Sequence, residues 1–212
     1  MEEQLNHLIE RYPHLSVCKE DIENAYIILE NAYKNGRKLL VCGNGGSASD
    51  SEHIVGELMK EFKLKRKVYA DQAAALKEID SELGQVLADN LQGALPAISL
   101  TGHSSLQTAF MNDAVPELVF AQQVNGYGKP GDVFLGISTS GNSKNVLYAA
   151  VNAKAKGLKV IGLTGAKENK LMKYADVCIR VPETETYKIQ ELHLPVYHCL
   201  CLMLEEKFFG EK

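Results

Sequence analysis

Apolar residues in this chain recur with two periods, and the alternation between them outlines the fold. Leu5, Leu8 and Ile9, then Ile22, Tyr26, Leu29, Ala32 and Tyr33, return at helical spacing on either side of Pro13. The segment 1–36 therefore reads as an N-terminal arm of two helices. Next comes the short apolar run Lys38-Leu39-Leu40-Val41-Cys42, a buried strand, and similar runs stand at 95–100, 133–137, 159–163 and 177–181. Helical segments separate them. One is expected over 48–62, and another starts near Lys144. A single inserted helix is expected within 67–93, with Asp71 as N-cap and Leu76, Ile79, Leu83, Val86, Leu87 and Leu91 on one face. The last helix is largely apolar through Leu194, Val196, Leu200, Leu202 and Leu204, and Pro195 within it predicts a kink or loosened hydrogen bonding. Strands alternating with helices predict an α/β fold: one five-stranded parallel sheet covered on both faces, in a single domain spanning 1–212. Such sheets take ligands beyond the carboxyl ends of their strands, where the strand order reverses.

Composition narrows the ligand classes. The 212 residues carry a formal charge of −4 with lysine and arginine scattered, so no basic stripe is present for nucleic acid. No apolar run approaches the roughly 20 residues of a membrane span, and the start Met1-Glu2-Glu3-Gln4 lacks the basic character of a secretory signal. A cytoplasmic protein is expected. Cys18, Cys42, Cys178, Cys199 and Cys201 show neither CxxC spacing nor a disulfide framework, and read as reduced core residues.

The candidate chemistry sits at strand ends. Gly43-Asn44-Gly45-Gly46-Ser47-Ala48-Ser49-Asp50 joins the first strand to a helix, and a helix start behind glycines offers free N–H groups to an anion. On that helix His53 and Glu57 are four residues apart and share a face. A second loop, Gly136-Ile137-Ser138-Thr139-Ser140-Gly141-Asn142-Ser143, also runs from a strand into a helix. One hydroxyl would suffice for a cap, so four hydroxyls favour a phosphate site. The last helix carries Gln190, Glu191, His193 and His198. A histidine on so apolar a helix is by default a core residue, so His198 needs its context to give it a role. Gln190 and His198 lie roughly 12 Å apart along a straight axis, so a shared metal would require both to lean inward. Gly43-x-Gly45-x-x-Ala48 satisfies the dinucleotide fingerprint, but the next strand ends in Leu100-Thr101-Gly102 with no ribose-binding acid, and neither loop has the Gly-Lys-Ser/Thr ending of a nucleotide-triphosphate loop. No nucleotide cofactor is expected.

These strings occur in the order found in one family. Cys42-Gly43-Asn44-Gly45-Gly46-Ser47, the stretch 53–57, Leu95-Pro96-Ala97-Ile98, Asn112-Asp113, Pro130-Gly131-Asp132-Val133, the stretch 136–143 and Ile189-Gln190-Glu191-Leu192-His193 resemble the sugar isomerase (SIS) fold. Within it, Glu57 together with His198 resembles the sedoheptulose-7-phosphate isomerases. The resemblance covers nearly the whole chain outside 63–93. It implies a flavodoxin-like sandwich and an aldose–ketose isomerase that converts sedoheptulose 7-phosphate into D-glycero-D-manno-heptose 7-phosphate, the first step towards nucleotide-heptoses. By the same resemblance Ser47, Ser138, Thr139, Ser140 and Ser143 hold the phosphate, and Asn44, Gly45, Gly46, Asn112, Asp113 and Gln190 complete the substrate site. Glu57 is implied as the base and His198 as the acid. His53, Glu57, Gln190 and His198 match positions that hold zinc in some members, one Zn2+ per subunit, and the family forms homotetramers with sites between subunits. Two departures stand out. Glu61 occupies the place of a family arginine near the ligand, where an acid would repel phosphate, with Lys60 or Arg66 as candidates to restore the charge. The insertion at 67–93 reads as an interface or packing element in preference to a lid. The rival readings are a non-catalytic sugar-phosphate-binding regulator or protein-interaction module, and an isomerase for a different ketose phosphate.

Overall fold

The computed structural model describes residues 2–210; Met1, Glu211 and Lys212 lie outside the described residues. Five strands form one wholly parallel sheet: β1 (Leu39–Cys42), β2 (Ala97–Ser99), β3 (Val133–Ile137), β4 (Lys159–Thr164) and β5 (Val177–Arg180), in the order β2-β1-β3-β4-β5. The chain leaves β1 towards β2 on one side and returns to β3 on the other, so the order reverses between β1 and β3. Their carboxyl ends lie level, with Cys42 paired to Gly136. That reversal is where a ligand crevice belongs in this kind of sheet.

The strand residues divide by the two-residue period of a strand. Leu39 and Val41 join the core beneath α1 (Glu2–Arg11), α2 (Lys19–Lys34), α3 (Gly46–Met59) and a long final helix, while Leu40 and Cys42 join a second core on the opposite face. There α7 (Val119–Tyr127) and α8 (Lys144–Ala155) cover the sheet, with α6 (Ser104–Asp113) beside them. Pro13 opens a short 3-10 turn, Pro13–Cys18, and so separates α1 from α2 as expected. The final helix, α9 (Thr186–Phe209), runs through Pro195 without a break. All five cysteines are free, four of them buried. Among the described residues no helix is long and apolar enough to cross a membrane.

The insertion differs from its expected form. It is two helices, α4 (Ala70–Ile79) and α5 (Leu83–Asn90), rather than one. Asp80 causes the break, because its Oδ1 accepts the amides of Glu82 (2.9 Å) and Leu83 (2.8 Å) and so starts a new helix. Asp71 is not the N-cap either; Tyr69 holds that position, and Asp71 bonds to the amide of Gln72 in the first turn. The two helices close on each other at Gly84, where a Cβ would come within 2.1 Å of the Leu76 carbonyl oxygen. Ile79, Leu83, Val86, Leu87 and Leu91 all remain exposed on this chain.

A buried ion pair ties the end of α3 to α9. Arg66 and Glu205 are each 1% exposed, and Arg66 Nε donates to Glu205 Oε1 over 2.7 Å. The remaining guanidinium nitrogens donate to the carbonyls of Leu58 and Glu57, both at 2.9 Å. Glu205 also accepts the amides of Phe62 and Lys63, both at 2.9 Å. Burial alone would raise the Glu205 pKa, but these two amides and Arg66 outweigh it and hold the carboxyl below the usual glutamate range. Removing one member of such a pair strands the other, so Glu205→Gln should cost about 3–5 kcal/mol in chemical denaturation at neutral pH. A folded-state pKa below the unfolded value gives stability that is present above the unfolded value and lost as pH falls through the folded one. Wild type should therefore lose stability in that acid window, and the Glu205→Gln protein should lose less.

Candidate functional site

Three helix starts converge beyond the β1 and β3 ends. The turn after β1 reaches α3 through Gly45 at φ +57°, a backbone conformation that residues with a Cβ rarely adopt. The second loop enters α8 with Ser143 as N-cap, and α9 starts at Thr186. Between them lies a cavity of about 340 Å³ lined by Asn44, Gly45, Gly46, Ser47, Ile137, Ser138, Thr139, Ser143, Thr186 and Gln190. That is room for a phosphate and part of a sugar. Its lining contains no lysine or arginine, so the favourable charge for an anion comes from the positive ends of the helix dipoles. Ser47 and Ser138 are nearly buried, and Ser138 and Ser143 share a hydrogen bond of 3.0 Å. Reciprocal amide bonds of 3.0 and 2.8 Å between Asn44 and Asn145 pin the turn after β1 to the first turn of α8.

The substrate-binding residues expected from the sequence separate into two groups. Asn44, Gly45, Gly46, Ser47, Ser138, Thr139, Ser143 and Gln190 meet in the cavity. Ser140 instead lines an adjoining hollow with Gly165 and Lys167, and its hydroxyl accepts the Asn142 amide at 3.2 Å. Asn112 and Asp113 end α6 on the surface and bond to each other at 2.8 Å. The structure adds Thr186 and Asn145, which the sequence reading did not single out. Thr186 had a signal, a hydroxyl residue opening a helix behind a strand.

Further along α3 lies the proton-handling cluster. His53 Nε2 is 3.0 Å from Glu57 Oε1 and 3.4 Å from His198 Nε2. His53 Nδ1 faces the Tyr197 hydroxyl at 3.0 Å, and that hydroxyl also donates to Asp50 Oδ1 at 3.2 Å. The His53 and His198 rings meet edge to face at 4.9 Å, with Phe62 against His198. Glu57 is 13% exposed; its second oxygen has no hydrogen-bond partner, and Lys60 Nζ stands 3.8 Å away. Burial, then the neighbouring His53 and Arg11, lower the His198 pKa, while Glu57 opposes them. A neutral imidazole that can donate an N–H is thereby favoured. His193 faces the core, where burial pushes it down to about 4 and keeps it neutral.

Gln190 stands apart from this cluster. Its amide packs on the first residue of α3, so close that a Cβ on Gly46 would meet Gln190 Nε2 at 2.7 Å. His53 lies two turns further on. Among the described residues no group of three or more His, Cys, Asp or Glu side chains is arranged to hold a metal ion.

Glu61 does not play the part expected of it. It lies past the C-terminal end of α3, far from the cavity lining, and its Oε1 accepts the Arg66 amide at 3.1 Å. The carboxylate serves a local turn and is not aimed at a phosphate. Arg66 is buried against Glu205 and supplies no charge to the ligand, and Lys60 reaches the Glu61 carbonyl and Glu57.

Together these features describe a doubly wound α/β protein with three helix starts around one cavity and a His–Glu–His cluster further along α3 and α9. A family model described as "SIS domain" matches residues 4–88 and 72–165. A phosphoheptose isomerase of Clostridium acetobutylicum is 39% identical over 193 residues, covering 91% of this chain and 85% of the relative. The solved phosphoheptose isomerase of Neisseria gonorrhoeae superposes with a TM-score of 0.74 at 30% identity, covering 95% of this chain and 94% of that one. Another, from Francisella tularensis, gives 0.72 at 31% identity over 97% and 94%. The chain belongs to the phosphoheptose isomerase family of SIS-domain proteins.

At Gly45 the backbone excludes side chains, so Gly45→Ala should lower stability by about 1–3 kcal/mol. Sugar-phosphate affinity should fall with it, and a calorimetric titration with thermal melts in parallel reads both.

Proposed function

We propose that this chain is an aldose–ketose isomerase that converts sedoheptulose 7-phosphate into D-glycero-D-manno-heptose 7-phosphate, opening nucleotide-heptose biosynthesis in the cytoplasm. One observation carries the reading: a phosphate-sized cavity on three helix starts, with Glu57, His53 and His198 meeting further along the same helices. Gly46 and Glu57 are eleven residues apart, roughly 16 Å along the helix.

In this reading Ser47, Ser138, Thr139 and Ser143 and the α3, α8 and α9 amides hold the phosphate, while Gln190 and Asn44 border the sugar. Glu57 removes the proton α to the carbonyl and returns it at the neighbouring carbon. His198 protonates the sugar oxygen on which negative charge develops. Two imidazoles and a carboxylate are donors that Zn2+ accepts, so His53, Glu57 and His198 would hold one ion per subunit after their donor atoms, which here bond one another, turn to face it. Gln190 would join as a fourth ligand only by leaving Gly46. When bound, zinc would polarise the sugar carbonyl as a Lewis acid. The reading also makes the protein a homotetramer with sites between subunits, supported by the apolar residues left uncovered on α4 and α5.

Purified protein should form aldose from sedoheptulose 7-phosphate, and Glu57→Gln and His198→Asn should each lower kcat by about 10²–10⁴-fold while the sugar phosphate still binds. Binding without turnover in wild type, with and without added zinc, would sink the isomerase in favour of a sugar-phosphate sensor; turnover of another ketose phosphate alone would change the substrate. Sedimentation velocity should show four chains per particle, reduced by charged residues at Leu83 and Val86.

A further inference from the structure

The inserted hairpin has little on its own chain to lie against. Among the described residues none of α4 is buried, and in α5 only Gly84 is. Ile79 is 85% exposed and Leu83 65%, with Val86, Leu87 and Leu91 open beside them. The hairpin is tied to the body at its base, where Lys67 bridges to Gln92 and Gly93 meets Phe209. Its helices have ten and eight residues, below the roughly 12–15 at which an isolated helix is marginal in water. An apolar face on so weak a support needs a cover. The hairpin is also acidic: Asp71, Glu78, Asp80, Glu82 and Asp89 stand against a single Lys77. The surface that fits it is therefore both apolar and cationic.

The same chain carries such a surface elsewhere. Between α1 and α9 lies a cavity of about 300 Å³, walled by the apolar Leu8, Leu194 and Leu202 and edged by His7, Arg11 and Lys63, with no aspartate or glutamate in its lining. Arg11 and Lys63 are exposed, and so is Leu194, on a helix that is otherwise largely buried. We propose that the α4–α5 hairpin of one copy docks into the α1–α9 cavity of a second copy, its apolar residues entering and its acids facing Arg11 and Lys63. Asp80 and Asp89 are engaged within the hairpin, by the Glu82 amide and by Gln85, which leaves the exposed Glu78 and Glu82 for the second copy. Both halves of the match lie on one chain, so a two-fold axis makes the contact twice, which a foreign partner could not do. His198 forms part of the cavity wall, and the docked hairpin closes the cavity over it. The second copy thereby supplies a wall beside the acid/base cluster. The proposal rests on the self-association proposed above and names the two faces that meet.

Sedimentation velocity and amide hydrogen exchange on the full-length protein test it together. In the assembled wild type the α4 and α5 amides should be protected, and dilution below the dissociation constant should bring them close to the exchange rates of an unstructured peptide. Arg11→Glu with Lys63→Glu should weaken association about 10–100-fold at low salt, and Glu78→Lys with Glu82→Lys should do the same. All four changes in one chain put opposite charges back across the contact and should restore wild-type association. The proposal is overturned by a fourfold variant as weak as either pair, by hairpin amides that exchange fast in the assembled protein or stay protected in the dissociated one, or by a wild type that is monomeric throughout. Charge rescue in a protein that does not turn over sedoheptulose 7-phosphate would remove the isomerase reading and leave the docking standing. Turnover by a protein whose hairpin amides are unprotected at every concentration would do the reverse.

Discussion

The site depends on the in-register packing of two parallel helices, α3 and α9. Gly46 meets Gln190, His53 meets Tyr197 and His198, and Phe62 meets Glu205, so contacting partners stay between 143 and 147 residues apart along the whole seam. Equal rise on both helices keeps this offset constant. Every functional pair is then a consequence of one alignment: fixing any contact fixes the others. Both helices point their N-termini at the same cavity, which is why an anion anchor and a row of side chains come as one unit.

Electrostatics along the seam follows its polarity. The cavity end carries no lysine, and aligned helix dipoles gather there. Glu57 sits at the opposite end, in the last turn of α3, where the negative pole of the helix opposes an ionised carboxylate. Arg66 answers this by donating to the carbonyls of Glu57 and Leu58, and Glu205 in turn neutralises Arg66 inside the protein. The buried ion pair thus lies one contact behind the Glu57 carboxylate, and the same groups that fasten α3 to α9 also moderate the field at the end of α3.

Much of this was legible in the sequence. The apolar runs found all five strands, because a strand covered on both faces must be apolar throughout, and the four-residue spacing placed His53 and Glu57 together. Three things escaped. The break at Asp80 was hidden because the apolar period continues across it, while the event that ends α4 is a side chain bonding to amides two and three residues on. Glu61 was misread because its position along the chain suggested the ligand, whereas its carboxylate turns to the Arg66 amide. The Asp50–Tyr197–His53 chain was invisible because it joins residues 144 and 147 positions apart, a relation only the helix alignment creates. Local pattern foretold elements and loops; the register between distant helices had to be seen.

The absence of lysine and arginine from the cavity lining has a consequence for how such a protein can diversify. Its grip is largely written in main-chain atoms, which substitution does not alter so long as the turn at Gly45 persists. The acid/base cluster is written wholly in side chains, each open to replacement. The main-chain cavity and the side-chain cluster are therefore inherited through different parts of the chain, and a descendant could exchange the second while keeping the first intact.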